Sequence, residues 1–303
     1  MTEQAVPLFP DSGRRVAPGP SLPGLLPVHH LREVLERASA AAPAAARGRF
    51  LILTHRGPDP DALGACEGLR QLLSEGFGLS PTVATLGRIH RAENLALVRT
   101  LCLELEQYES IDFASYAGVT LVDTQPEFGH TVVPSELPVV AVFDHHVPPP
   151  RNGDEPAVLI PHRDVRLNLG ATSSMIYEYL RDAGIELNER TASALFCGVR
   201  YDTAELSRNV SPLDEDAYFE TFRRADRESI AAIDHPPLPR SYYRELTKAM
   251  ASARQHGPLV LALLGKVENP ESVAEMADFF LRMKGVSWVV VGGAYESEYV
   301  LSL

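Results

Sequence analysis

The sequence predicts an α/β protein: a parallel-sheet domain, then a linker, then a smaller α/β unit that reads as truncated. Short runs rich in Val, Ile and Leu (49–54, 119–122, 139–143) alternate with stretches of helical spacing. Continuous runs of this kind suit parallel strands buried on both faces. A stiff break, Asp234-His235-Pro236-Pro237-Leu238-Pro239, stops the alternation, which resumes beyond it on a smaller scale.

In order, residues 1–27 carry Pro7, Pro10, Pro18, Pro20, Pro23 and Pro27 among Gly and Ser, the composition of a disordered leader. The first domain, 28–233, begins with a helical pattern at 31–42. Strands are expected at 49–54, 81–86, 119–122 and 139–143, with 158–160 a shorter fifth candidate. Helices are expected at 61–75, closed by Gly76 and Gly78, and at 89–107, 170–183, 189–199 and 212–233. Residues 234–255 are the linker and a connecting helix. The second unit, 256–303, reads as strand 259–264, helix 271–284, and strands 287–292 and 298–303. A strand as the last element makes it look incomplete.

Composition narrows the function. With 45% apolar and 22% charged residues the chain is globular, and its net charge is −12. An acidic chain gains no general attraction to long double-stranded nucleic acid. A metal site with a few Arg residues still suits a short oligonucleotide or a mononucleotide. Cys66, Cys102 and Cys197 form no CxxC pair and read as buried free thiols in a reducing cytosol, so a cytoplasmic location is expected. No apolar run reaches the ~18 residues of a membrane span, and no signal-peptide core is present, so no membrane partner is expected. A homodimer is the assembly considered.

The chemistry gathers at strand ends. His55-Arg56-Gly57-Pro58-Asp59-Pro60-Asp61 follows the first strand and enters a helix. Pro58 and Pro60 stiffen the turn that carries both aspartates. On its own this is either a metal loop or an ordinary βα loop with Asp61 as helix N-cap. Asp123 ends another strand, Asp144-His145-His146 ends a third, and Asp202 follows a helix. Open α/β sheets collect strand C-termini at one edge, so His55, Asp59, Asp61, Asp123, His145 and Asp202 are expected to converge. Four Asp and two His exceed one tetrahedral zinc and suit two divalent ions sharing a carboxylate. Ligands of this type, without thiolate, favour Mn2+, with Mg2+, Co2+ or Fe2+ as competitors.

These motifs, with Gly170-Ala171-Thr172-Ser173 and Asp202-Thr203, occur over about residues 50–210 in the order and spacing of the DHH phosphoesterase superfamily, which the chain resembles. The closest likeness is to the nano-RNase/pAp phosphatase and RecJ-like branch. The resemblance implies a two-metal hydrolase, exonuclease-like, that acts on short nucleotides (oligoribonucleotides, pAp, cyclic or linear dinucleotides) through a hydroxide between the ions. It implies that His55, Asp59 and Asp123 hold one ion. Asp61, Asp123, His145 and Asp202 would hold the other, with Asp123 bridging. His146 would face the substrate phosphate or leaving oxygen, and Asp144 would orient the ligands from behind.

Gly170 and Thr172 lie in a turn that opens a helix, where N–H groups can take phosphate, and the same turn reads equally as simple capping. Arg208 and Arg88 are the basic candidates for substrate phosphate, and each also reads as a solvated charge. Two departures from the family stand out. Tyr201 replaces a smaller residue before Asp202, narrowing the pocket. The glycine- and histidine-rich motif of the family's C-terminal domain is absent, although Val289-Val290-Val291-Gly292-Gly293 resembles the part before it. The alternatives are a manganese inorganic pyrophosphatase, disfavoured by the few cations of the second unit (Lys266, Arg282, Lys284), and a nucleotide-sensing regulator with weak turnover.

Overall fold

Strand β1 (Arg49–Leu53) is buried from Phe50 onward, as a central parallel strand must be. The computed structural model describes residues 26–149 and 159–303. Around β1 lie β2 (Ser80–Thr85), β3 (Glu106–Gln107), β4 (Gly118–Val122), β5 (Val139–Asp144) and β6 (His162–Val165). The order is β3-β2-β1-β4-β5-β6 and every neighbouring pair is parallel. The strand order therefore reverses direction between β1 and β4, the switch point where open α/β sheets bind ligands.

Helices α1 (Pro27–Ala41), α2 (Pro60–Gln71), α3 (Ala92–Thr100), α4 (Thr172–Asp182), α5 (Glu189–Asp202), α6 (Pro212–Arg224) and α7 (Arg227–Asp234) complete this domain. One core joins Phe50, Ile52, Val122 and Phe143 of the sheet to Leu35, Leu69, Ile176 and Leu195 of the helices. On the other side, Leu51, Leu53, Leu121 and Val142 pack with Tyr116, Leu137 and Ile160 of connecting segments. Helices α2, α4 and α5 approach unusually closely, and glycine permits it. A Cβ on Gly64 would collide with the Ala194 carbonyl, and one on Gly198 with Ser173 Oγ and the Asp61 backbone. That closeness sets Asp61 beside the end of α5.

After the Pro-rich linker come α8 (Arg240–Ser252), β7 (Arg254–His256), β8 (Leu259–Lys266), α9 (Glu271–Leu281), β9 (Trp288–Tyr295) and β10 (Glu298–Ser302). They form a mixed sheet, β10-β9-β8-β7, with β8 and β9 parallel. Val260, Ala262, Leu264, Val289 and Val291 pack on Val273, Met276 and Phe280 of α9. The α/β class and the smaller second domain are as expected.

Four expectations need correction. The helix expected at 89–107 is only Ala92–Thr100, because Cys102 turns left-handed (φ 50°) and Leu103 N–H returns to Val98 O, a C-terminal cap. Cys102 is consequently exposed rather than buried. In place of the strand expected at 158–160, the strand beside β5 is His162–Val165; Leu159 and Ile160 precede it, with Leu159 exposed, and Val158 lies outside the described residues. The strand residues His162, Arg163 and Asp164 are polar and find side-chain partners, so apolar patterning could not reveal it. The helix expected at 212–233 is two helices, since Asp226 caps α7. Of the expected leader, residues 1–25 lie outside the described residues, and Pro27 already opens α1. Among the described residues no helix is long and apolar enough to cross a membrane.

Candidate metal centre

The loop after β1 delivers the first ligands. Asp59, not Asp61, is the N-cap of α2: its Oδ1 accepts Ala62 N–H at 3.0 Å, and Pro60 stands at the first helical position. Asp61 is thus one residue inside the helix and wholly buried. Its carboxylate accepts Thr172 N–H (2.7 Å) and Ser173 N–H (2.8 Å), the first amides of α4. Asp123, just past β4, is left-handed (φ 57°), a conformation that Asp adopts more readily than most residues. This twist turns its side chain from the strand toward the switch point. Asp144 closes β5, and Asp202 is the last residue of α5.

These residues converge. The ligand atoms of His55, Asp59 and Asp123 lie within 4.8 Å of one another, as do those of Asp61, His145 and Asp202, and those of Asp123, His145 and His146. The two oxygens of Asp123 face different groups. Oδ2 is 3.5 Å from His55 Nε2, while Oδ1 is 3.7 Å from His145 Nε2 and accepts Thr172 Oγ1–H at 2.8 Å.

The imidazoles test whether cations fit here. His145 Nδ1 lies 3.2 Å from Leu169 O, and His55 Nδ1 lies 3.1 Å from Arg56 O. A carbonyl only accepts, so each Nδ1 carries a proton and each neutral ring has its Nε2 lone pair facing carboxylates. His145 Nε2 lies 3.1 Å from Asp202, 3.7 Å from Asp123 and 3.9 Å from Asp61, yet it is buried without a well-directed hydrogen bond. A nitrogen nearest Asp202 and within 4 Å of two further carboxylates faces the place where a shared cation would sit. The donor set fits divalent metal.

Electrostatics agree. Burial alone would lower the pKa of His55, but its hydrogen bond to Asp123 and the charges of Asp123 and Asp59 raise it to about 9. Burial opposes protonation of His145 too, and Asp202, Asp61 and Asp123 overcome it, to about 10. Burial, then repulsion from Asp123 and Asp202, pushes Asp59 up to about 6 and Asp61 well above the carboxylate range. Asp123 goes the other way: burial opposes its charge, but His55, His145 and His146 hold it ionised. Without metal the cluster captures protons, and the same field attracts divalent cations.

Asp144 is buried behind the ligands. Its Oδ1 accepts His145 N–H (2.9 Å) and His146 Nδ1–H (2.9 Å), and its Oδ2 accepts from Gln125 Nε2 (2.5 Å). His146 Nε2 is left for the cavity in front. That cavity, about 580 Å3, is lined by Asp59, Asp123, His55 and His146, and by Arg56, Arg91, Phe128, His130, Val147 and Tyr201, with Glu271 from the second domain.

The expected phosphate contacts are arranged differently. The N–H groups of Thr172 and Ser173 are used by Asp61, and Gly170 N–H is bound to Asp214 (2.9 Å), so this turn steadies a ligand rather than offering amides to phosphate. Arg208 donates to the Asp202 carbonyl oxygen (3.2 and 2.8 Å) and does not line the cavity. Arg88 is exposed and also outside the lining; Arg91, three residues on, takes that place. Arg56, Phe128 and His130 escaped sequence reasoning. Only Arg56 had a signal, its place beside His55.

Residues 49–199 match the DHH family, N-terminal domain. An uncharacterized protein of Methanocaldococcus jannaschii is 33% identical over 257 residues, 84% of this chain and 51% of that protein. A probable manganese-dependent inorganic pyrophosphatase of Streptococcus suis is 28% identical over 157 residues, 51% of this chain and 48% of that one. The chain spans about half the length of the curated relatives it matches. Among solved structures, an exopolyphosphatase-related protein from Bacteroides fragilis shares the fold, with a TM-score of 0.68 and 14% identity over 88% of this chain and 80% of that one.

Proposed function

The chain belongs to the DHH family, and from that premise we propose that it is a two-metal phosphoesterase of short nucleotides. One observation carries the reading: Asp123 turns one oxygen to the His55 group and the other to the His145 group. His55, Asp59 and Asp123 would hold one ion, and Asp61, Asp123, His145 and Asp202 the other. Oxygen and imidazole ligands suit manganese, and the pyrophosphatase relatives are manganese-dependent by name. Such an ion pair supplies positive charge that acidifies water and neutralises phosphoryl oxygens.

The chain's own groups do the rest. Asp144 holds the Nδ1 proton of His146, and its hydrogen bond, chief among the causes, raises the pKa of that ring. His146 Nε2–H is then a proton donor for the leaving oxygen of the ester. Thr172 and the amides of α4 fix Asp123 and Asp61 so that neither reorients as charge develops. Phe128, His130 and Tyr201 give the cavity aromatic walls, which suit a base and have no use for a bare phosphate.

Inorganic pyrophosphate is the second reading, favoured by the relatives' name. Its charge calls for dense cations, yet among the described Lys and Arg residues only Arg56 and Arg91 line the cavity, and Lys266, Arg282 and Lys284 do not. A Mn2+-dependent panel of dinucleotides, nucleoside bisphosphate and pyrophosphate tests both. Release of nucleoside monophosphate is expected. Pyrophosphate cleaved faster than every nucleotide selects the second reading, and no hydrolysis of any compound rejects both.

A further inference from the structure

None of the residues in the Pro-rich break after α7 lines the cavity at the metal centre, yet the break builds a cavity of its own. Pro236, Pro237, Leu238 and Pro239 form one wall of a pocket of about 660 Å3, a size that suits a small molecule. Leu95 and Ala96 of α3 form a second wall, and α8 and α9 of the other domain close it. Proline fixes its own backbone, so the first wall is stiff before any ligand arrives. Along the same seam Asn269 donates to the His90 carbonyl oxygen at 3.0 Å. The two cavities share no lining residue, but α3 and α9 serve both. Asn94 and Glu271 line the one at the metal centre, and Leu95 and Glu275 line this one.

The unmatched group here is Glu245 of α8, which lines the pocket and is only 3% exposed. Its Oε1 accepts the Glu268 N–H at 2.6 Å, while its Oε2 has no hydrogen-bond partner among the described residues. A buried carboxylate oxygen left unmatched is costly. Glu275 of α9 lines the pocket too. Burial, then repulsion from Glu93, pushes its pKa up to about 7; Glu271 and Glu245 add to the repulsion, and Arg91 offsets part of it. Arg99 is the one Lys or Arg among the lining residues, and it is exposed. The pocket therefore holds buried acid without a buried Lys or Arg.

A metal ion fits poorly, because neither Glu245 nor Glu275 belongs to any three-ligand group found among the described residues. An ammonium group needs only one or two carboxylate oxygens, and walls of proline and leucine suit a carbon chain behind it. We infer that this pocket binds a small organic amine in its protonated form, the ammonium group donating to Glu245 Oε2 and to Glu275, and the carbon body lying against the 236–239 wall. The site is independent of the phosphoesterase reading. An amine bound there touches α3, the linker, α8 and α9, so it ties the two domains together and stabilises the fold that carries the site.

The test uses the Mn2+-loaded protein and three probes of one shape: hexylamine, hexanol and hexanoate. Calorimetry reads affinity, and thermal melting reads stabilisation. Hexylamine is expected to bind ~10-fold or more tightly than either of the others, since hydrogen bonds to charged groups are the strong ones. It should also raise the melting temperature. In Glu245→Gln, which keeps the Oε1 acceptor, the preference should fall to within about twofold of unity, and in Glu275→Gln only partly. Ala96→Phe, which fills the pocket from α3, should abolish binding, and it decides the matter if Glu245→Gln does not fold. A wild type that binds hexylamine no better than the other probes overturns the inference. So does a folded Glu245→Gln or Ala96→Phe variant that keeps the preference.

Discussion

At the β1/β4 edge, four carboxylates and two imidazoles face one another, and His145 Nε2 finds no well-directed partner. Beside β6 in the same domain, His30, His162, Tyr179, Asp164 and Arg166 form an equally polar chain in which each link is made. Tyr179 OH donates to Asp164 (2.8 Å), so His162 Nε2–H donates to Tyr179, and His162 Nδ1 accepts from His30 (2.9 Å). Arg166 closes the chain on Asp164 and also reaches Glu178. Both clusters are built from His and Asp on the same sheet. One balances its charge and the other leaves it open. A buried polar network that is complete specifies packing, whereas one that is short of cations is a binding site.

Removing the shared carboxylate should break the comparison most severely. Asp123→Ala is expected to lose ~10^4-fold or more in kcat/KM, about 5 kcal/mol of transition-state stabilisation. The metal-free protein should also melt at a lower temperature, because His55, His145 and the Thr172 hydroxyl lose the buried carboxylate that partners them. Steady-state kinetics beside thermal melting checks both halves. Full activity in the variant would refute the role of Asp123.

The next effect is on pH, where the two clusters should respond with opposite sign. Burial lowers the pKa of His162 from 6.5 to about 4. The unfolded chain therefore binds more protons between those values, and stability falls as pH drops from 6.5 through 4. The loss is up to roughly 3 kcal/mol, and His162→Gln should shrink it. His55 and His145 are raised to about 9 and about 10. Their contribution to the metal-free protein is present below 6.5 and is lost as pH rises through those values. Mn2+ should restore stability at the alkaline end, because metal replaces the protons. Melting curves from pH 4 to 10, with and without Mn2+, read both arms.

A smaller effect sharpens the boundary of the open cluster. Asp144 touches the backbone of His145 and the ring of His146 but is no ligand in this arrangement. Asp144→Asn should weaken Mn2+ binding or activity by about 10–100-fold, the usual size for an orienting partner. An effect as large as that of Asp123→Ala would place Asp144 among the ligands themselves.

The convergence of the six proposed ligands was legible because each follows a buried apolar strand or closes a helix, and a parallel sheet brings such ends together. The direction of each side chain was not. Asp61 looked like a helix cap, but the capping geometry belongs to Asp59, and only the packing of α4 on α2 shows that Thr172 and Ser173 serve Asp61. The same bonds take the Thr172 amide, and a bond to Asp214 takes that of Gly170, away from the phosphate contacts the sequence suggested. Arg88 and Arg91 are indistinguishable in composition, and the short α3 decides which one reaches the cavity. Strand β6 escaped notice because its burial is satisfied by hydrogen bonds rather than by apolar side chains. Periodicity reports apolar burial, and it is silent where polar groups are buried in pairs.

The central claim is that Asp123 joins two cations. Electron paramagnetic resonance of Mn2+ titrated into the metal-free protein, alongside equilibrium dialysis, tests it directly. The account predicts two ions per chain whose spectra are exchange-coupled, with coupling lost in Asp123→Ala. A wild-type protein that saturates with a single Mn2+, or binds two without coupling, contradicts it.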